Sequence, residues 1–283
     1  MSTADLRQHP LDIVTACRAA DLRILRLTFA ALKKYVPLRR LYVITAQSNF
    51  QRCRRALGEE VVLIDEDTFI PGMTLDALRQ LQLPGFPRGA GWYFQQLLKF
   101  QFAFTEPGEE FYLIWDADTI PLRPLEFFDE RGAMLFTTAD EEHAPYFETY
   151  RHLLGEEPNR EFSFISQHII VRKSILREML EKIETRFPGE ENWAWKIMRH
   201  LEGAGTNLFS EYEMYGHYVK NHYPEQAVYR QLPWLRHGSR AVGGAPSPLD
   251  LERLGQEYAF AAFESSQRFL RTCLRWLRAK FQR

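Results

Sequence analysis

Two aspartates, Asp116 and Asp118, stand one residue apart at the end of an apolar run in the stretch FYLIWDADTIPLRPL, residues 111–125. Carboxylates at this spacing supply hard oxygen ligands for a divalent cation such as manganese or magnesium. A cation held there can bridge the phosphates of a nucleotide and steady a departing pyrophosphate. The run before them suits a strand buried on both faces, which would deliver the pair to the carboxyl edge of a sheet, where open α/β folds bind ligands. Pro121 and Pro124 are expected to forbid regular structure immediately downstream. A second pair, Asp65 and Asp67 in DED, also follows an apolar run, and it reads as a helix cap or turn. The longer aromatic strand and the prolines favour the Asp116 pair.

Other residues could share that chemistry. Between Trp92 and Phe104 a helix is expected in which Trp92, Gln96, Lys99 and Ala103 share one face, so Gln96 and Lys99 could reach an anionic ligand beside the Asp116 strand. The plainer alternative is a lysine that only extends from a buried helix. Glu211 and Glu213, in SEYE, lie at a helix start that Ser210 can cap. They either complement the helix dipole or offer the site a carboxylate. Gln167 and His168 interrupt an apolar run, and His168 reads either as a hydrogen-bonded core histidine or as a catalytic one.

These groups need elements to position them. Strands are expected over Leu11–Ala16, Leu41–Thr45 and Val61–Ile64, alternating with helices over Ala20–Lys34 and Phe50–Leu57, which is the pattern of a parallel sheet covered by helices on both faces. Pro71–Gly91 reads as a loop with one weak helix, Leu75–Leu83. Further strands are expected over Ala133–Thr138 and Phe162–Val171. Helices are expected over Tyr146–Leu154, Lys173–Phe187 with Ser174 as cap, Trp193–Leu201 and Phe209–His222, and Pro233–Pro248 reads as a loop.

Bulk composition excludes several classes. With 36 Lys plus Arg against 37 Asp plus Glu, the formal net charge of −1 gives no case for nucleic-acid binding. Three widely spaced cysteines without a CxxC pair suggest a reduced compartment and no cysteine zinc site. No leader or membrane span is evident, so a cytoplasmic protein is expected. From Glu264 onward, Arg268, Arg271, Arg275, Arg278, Lys280 and Arg283 accompany leucines at helical spacing. Such a basic amphipathic helix either lies on an anionic membrane surface or docks on the domain.

Taken together, GWYFQQLLKFQFA, FYLIWDADTIPLRPL, FISQHIIVRKSIL and FSEYEMYGHYV resemble an uncharacterised bacterial family of DxD-containing glycosyltransferases with the GT-A fold, over about residues 10–265. The resemblance implies one α/β domain with a mixed, mostly parallel sheet. Its nucleotide-binding half would cover about residues 10–125 and its acceptor half about 126–263. It implies transfer of a sugar from a nucleotide-sugar, a UDP-sugar above all, to a hydroxyl on a glycan, lipid or other acceptor. Asp116 and Asp118 would hold Mn2+ or Mg2+, and His237, placed like the late histidine of several GT-A enzymes, is a candidate third ligand. Thr15, Ala16 and Arg18 would lie against the nucleotide, with Gln96, Lys99, Trp115 and Ala117 completing the donor side. Gln167, His168 and Glu211 would face the acceptor, and Glu213, the preferred of the two glutamates, would be an acceptor-binding carboxylate and the general base if the enzyme inverts. The runner-up is a haloacid-dehalogenase-like phosphatase, since Asp116-Ala117-Asp118-Thr119 fits its DxDxT motif with Asp116 as nucleophile. Against it, the motif follows three strand-helix units, and no later aspartate pair follows a strand. A catalytically inactive nucleotide-binding protein is a further alternative.

Overall fold

Alternating apolar and polar stretches build the first half as strand-helix units. The computed structural model describes residues 9–81, 89–106, 108–204 and 207–264. Strand β1 (Leu11–Ala16) leads through a 3-10 turn into α1 (Leu22–Tyr35), β2 (Leu38–Thr45), α2 (Phe50–Leu57) and β3 (Val62–Asp65). Gly58 ends α2 at φ 90°, a conformation that costs glycine little. Two short helices follow, α3 (Glu66–Phe69) and α4 (Leu75–Arg79), and then α5 (Ala90–Gln101). Asp65 caps α3, its carboxylate accepting from the Asp67 amide, so the DED pair is a helix cap.

The second half runs β4 (Phe111–Trp115), β5 (Thr119–Pro121), β6 (Met134–Thr138), α6 (Ala144–Leu154), β7 (His168–Arg172), α7 (Lys173–Arg186), α8 (Trp193–Arg199) and α9 (Glu211–His222). It closes with β8 (Ala227–Gln231), β9 (Trp234–Leu235), α10 (Gly238–Val242), α11 (Pro248–Glu257) and β10 (Phe260–Ala262). The central sheet has the order β3-β2-β1-β4-β7. Its first four strands are parallel and β7 is antiparallel to β4. This is the mixed, mostly parallel sheet flanked by helices that the resemblance implies; the alternation alone reads as parallel strands covered by helices. Helix α5 packs on β1, while α7 and α9 pack on β7. Trp115, Tyr93, Tyr112, Tyr215 and Tyr218 are among the largest fully buried side chains, so the core is heavily aromatic.

Four local expectations are corrected. Residues 119–121 do form a strand despite Pro121, because β5 is the edge of a three-stranded sheet ordered β5-β10-β9 and proline is tolerated where one side needs no donor. The strand expected over Phe162–Val171 starts only at His168. Gln167 adopts φ 66°, and the segment before it is tied elsewhere by the Ser163–Ala139 backbone pair. Ser174 does not cap α7; Arg172 holds the cap position, and the Ser174 hydroxyl bonds to Glu110. The presumed loop Pro233–Pro248 contains β9 and α10, and Ser247 with Asp250 forms a capping box for α11. The basic segment after Glu264 lies outside the described residues.

Candidate active site

In the sheet order the strands turn back at β1 and β4, so the crevice beyond their carboxyl ends is the topological switch point. Asp116 follows β4 directly, and Thr15 and Ala16 end β1. The aspartate turn is held by other elements. The Asp116 amide donates to the Gln167 carbonyl (2.9 Å), and the Thr119 amide donates to the Asp116 carbonyl (3.0 Å). Thr28 of α1 donates to the Ala117 carbonyl (3.0 Å), and the Phe263 amide donates to the Asp118 carbonyl (2.7 Å). The buried Trp115 indole closes the turn by donating to the Thr119 carbonyl at 2.7 Å. Thus α1, the start of β7 and the end of β10 each fix part of the turn.

Lys99 arrives from α5, steadied by the Tyr112 hydroxyl donating to its carbonyl at 3.1 Å. Its Nζ lies 2.8 Å from Asp116 Oδ1 and also pairs with Glu211 at the start of α9. Lys99 and Glu211 are 1% and 3% exposed, whereas Asp116 retains 24%. Burial opposes the ammonium charge, but the two carboxylates outweigh it and hold the lysine pKa above its usual range. The balance is plausible in magnitude, since one such contact is worth about 4 kcal/mol at an effective dielectric of about 20. Glu211 is pushed upward by burial, an effect that Lys99 opposes. Asp118 is pushed up to about 7 by burial and then by Asp116, Glu264 and Asp21. Arg18 is paired to Asp21 at 2.9 Å on the rim. The crevice therefore gathers five carboxylates, Asp21, Asp116, Asp118, Glu211 and Glu264, against two cations, Lys99 and Arg18.

The remaining candidates separate. Gln96 is buried one layer back, its amide nitrogen donating to the Trp92 carbonyl and its oxygen accepting from the Glu211 amide, both at 3.0 Å. It thereby positions Glu211, and its side-chain amide is committed within the protein. Glu213 points into the core, accepting from the Ser163 hydroxyl (2.5 Å) and the Phe164 amide (3.2 Å) and pairing with His217 at 3.0 Å. Of the two glutamates, Glu211 meets the aspartate turn, the reverse of the preference for Glu213. A helix turn of two residues, about 200°, sends them to opposite sides. His168 is a core histidine: its ring nitrogens meet Ser166 and Thr137, and it stacks on Trp115 at 4.7 Å. Burial holds its pKa down to about 3, so it stays neutral. That leaves a catalytic role no free ring nitrogen. Gln167 keeps its left-handed backbone next to the turn, a conformation that costs about 1 kcal/mol or more in a non-glycine residue.

His237 is not gathered with the aspartates into a ligand cluster; among the described residues no three His, Cys, Asp or Glu side chains are so grouped. Its chain is nonetheless near. Trp234 and Leu235 pair with Phe260 and Ala261, the turn after them brings Gly238 against Ala262 and Phe263, and the Phe263 amide bonds to the Asp118 carbonyl. β7 runs antiparallel, so Arg172 and Lys173 sit at the end of the strand away from the aspartates. Sequence reasoning did not single out Asp21, Thr28, Tyr212 or Glu264 at this site. Only the acids flanking Tyr212 in SEYE hinted at its place.

The fold and site define an α/β protein with an acidic, lysine-braced crevice at its switch point. The chain belongs to a family of unknown function, DUF6492, whose model matches residues 10–232. No curated protein matches the sequence. Solved structures with a related chain path include mouse xyloside xylosyltransferase 1 in its apo form, 13% identical over 91% of this chain and 98% of that one, with a TM-score of 0.49. Another is the galactosyltransferase LgtC in complex with donor and acceptor sugar analogs, 12% identical over 90% of this chain and 87% of that one, with a TM-score of 0.45. A third is the glycosyltransferase GlyE of Streptococcus pneumoniae, 14% identical over 90% and 55%, with a TM-score of 0.40.

Proposed function

We propose that the protein is a metal-dependent GT-A-type glycosyltransferase that moves a sugar from a nucleotide-sugar, specifically a UDP-sugar, to an acceptor hydroxyl on a glycan, lipid or other molecule. The observation that carries this reading is the aspartate turn at the switch point, facing a buried lysine that Asp116 and Glu211 keep charged. The donor set fits a hard divalent cation: Asp116 and Asp118 offer carboxylate oxygens, and the crowding of acids around Asp118 is relieved by positive charge. Asp116 and Asp118 would hold the ion, with His237 the candidate third ligand; when bound, it supplies charge neutralisation to the departing diphosphate.

The chain's own residues supply the rest. Thr15 and Ala16, at the end of β1, and Arg18, just beyond it, form the wall against which the nucleotide lies. Lys99 places a fixed positive charge beside the aspartates, and a preorganised charge of this kind stabilises developing negative charge without reorganisation. Glu211, aimed by Gln96, is the carboxylate on the acceptor side of the turn. Gln167 borders it through the carbonyl that holds the Asp116 amide.

A thermal-shift and calorimetry panel of nucleoside diphosphates and nucleotide-sugars, with and without manganese, tests the reading. A ligand that binds the native state raises its melting temperature. Manganese-dependent binding of a uridine nucleotide that Asp118→Ala abolishes is expected. No binding anywhere in the panel, or hydrolysis of a generic phosphate ester through an aspartyl phosphate trapped at Asp116, would overturn it.

A further inference from the structure

Tyr212 stands in the first turn of α9, between Glu211 and Glu213, and is 4% exposed. The Lys99 ammonium lies 5.1 Å from its ring centroid, which places the ring against the lysine that braces Asp116. Its hydroxyl is buried and has no hydrogen-bond partner in normal geometry among the described residues, although it lies beside Asp116. A buried tyrosine hydroxyl ordinarily finds a partner, so an unengaged one within a polar cleft calls for an explanation.

The neighbours supply one. The Lys99 ammonium is already directed at Asp116 and Glu211, and ionised carboxylates can only accept. A phenol carries one O–H donor. It is thus an O–H donor that lies against Asp116 without a well-formed hydrogen bond, in a wall made largely of acceptors. A ligand bearing several hydroxyls, each both donor and acceptor, satisfies such a wall: it gives protons to the carboxylates and accepts one from the phenol. A bare phosphate would offer these carboxylates no protons.

We propose that Tyr212 is a substrate-contacting residue whose hydroxyl hydrogen-bonds the sugar moiety of the nucleotide-sugar, and so discriminates the sugar-bearing donor from the bare nucleotide. The assignment rests on the glycosyltransferase reading above.

The test is Tyr212→Phe, which removes one oxygen and keeps the ring under Lys99. Affinities for UDP and for the preferred UDP-sugar are measured by calorimetry with manganese, alongside the melting temperature of the free protein. The UDP affinity is expected to stay within about twofold of wild type, while the UDP-sugar affinity falls about tenfold, the size of one hydrogen bond to an uncharged group. The free protein is expected to melt no lower than wild type, because the lost hydroxyl made no well-formed hydrogen bond. Equal affinity losses for UDP and UDP-sugar, no loss for either, or a lowered melting temperature accompanied by an unchanged UDP-sugar affinity would each overturn the assignment. Tyr212→Leu, which removes the phenol without enlarging the side chain, serves as the control if the first variant misfolds, with the same pattern expected. A wild-type protein that binds neither ligand would overturn the glycosyltransferase reading itself, a result distinct from wild-type binding that Tyr212→Phe leaves untouched.

Discussion

Asp118→Asn should make the ligand-free protein more stable, and the gain should depend on pH. The folded pKa of Asp118 is raised from 3.8 to about 7 by burial, Asp116, Glu264 and Asp21. The folded state therefore holds this proton more tightly than the unfolded chain does. Raising the pH through the window from about 4 to about 7 removes stability, and above about 7 the full penalty is present. Three pKa units correspond to a ceiling of about 4 kcal/mol. Asp118 keeps partial contact with solvent, so screening reduces this to roughly 1–3 kcal/mol. Asparagine keeps the size and the turn but carries no charge. Urea unfolding in the presence of a chelator, followed at several pH values between 4 and 8, should show the variant ahead of wild type by that amount at pH 8. The advantage should shrink towards zero near pH 4, where wild-type Asp118 is neutral in both states. A variant no more stable than wild type at pH 8, or a gain independent of pH, would refute the electrostatic account of the crevice.

Lys99→Met should destabilise the fold by about 3–5 kcal/mol, because it leaves buried acid without its counter-charge. Adding Glu211→Gln should recover part of this, and strict additivity in the double-mutant cycle would argue against coupling. Glu213→Ala should lower stability by roughly 2–5 kcal/mol, since the buried Ser163 hydroxyl and Phe164 amide lose their acceptor. An unchanged urea midpoint would contradict that structural role. For the basic segment beyond Glu264, the membrane reading predicts that the full chain floats with anionic liposomes and that truncation after Glu264 abolishes flotation. Absence of flotation at low salt would remove it.

Local pattern carried much of the fold. The strand-helix alternation over the first 65 residues and the apolar run before Asp116 follow from side-chain periodicity, which the chain displays directly. Caps are equally local: Ser210 does accept from the Glu213 amide, and Asp65 caps its own short helix. Elements made by distant pairing stayed hidden. β10 is three residues long and is a strand because Phe260–Ala262 lies between β5 and β9. β8 exists because it pairs with β6, more than ninety positions earlier in the chain.

The candidate site divides along the same line. The sequence by itself determined that Asp116 and Asp118 end a buried strand, and that Lys99 and the SEYE acids stand on helices that could face them. Tertiary structure decided which of these meet. It joined Lys99 to Asp116 and Glu211, turned Glu213 inward to Ser163 and His217, committed Gln96 to the Glu211 amide, and buried His168 neutral against Trp115. The physical reason is that periodicity fixes which residues share a face of one element. Which face looks into the crevice depends on packing between elements far apart in the chain, and so does the burial that sets each group's charge.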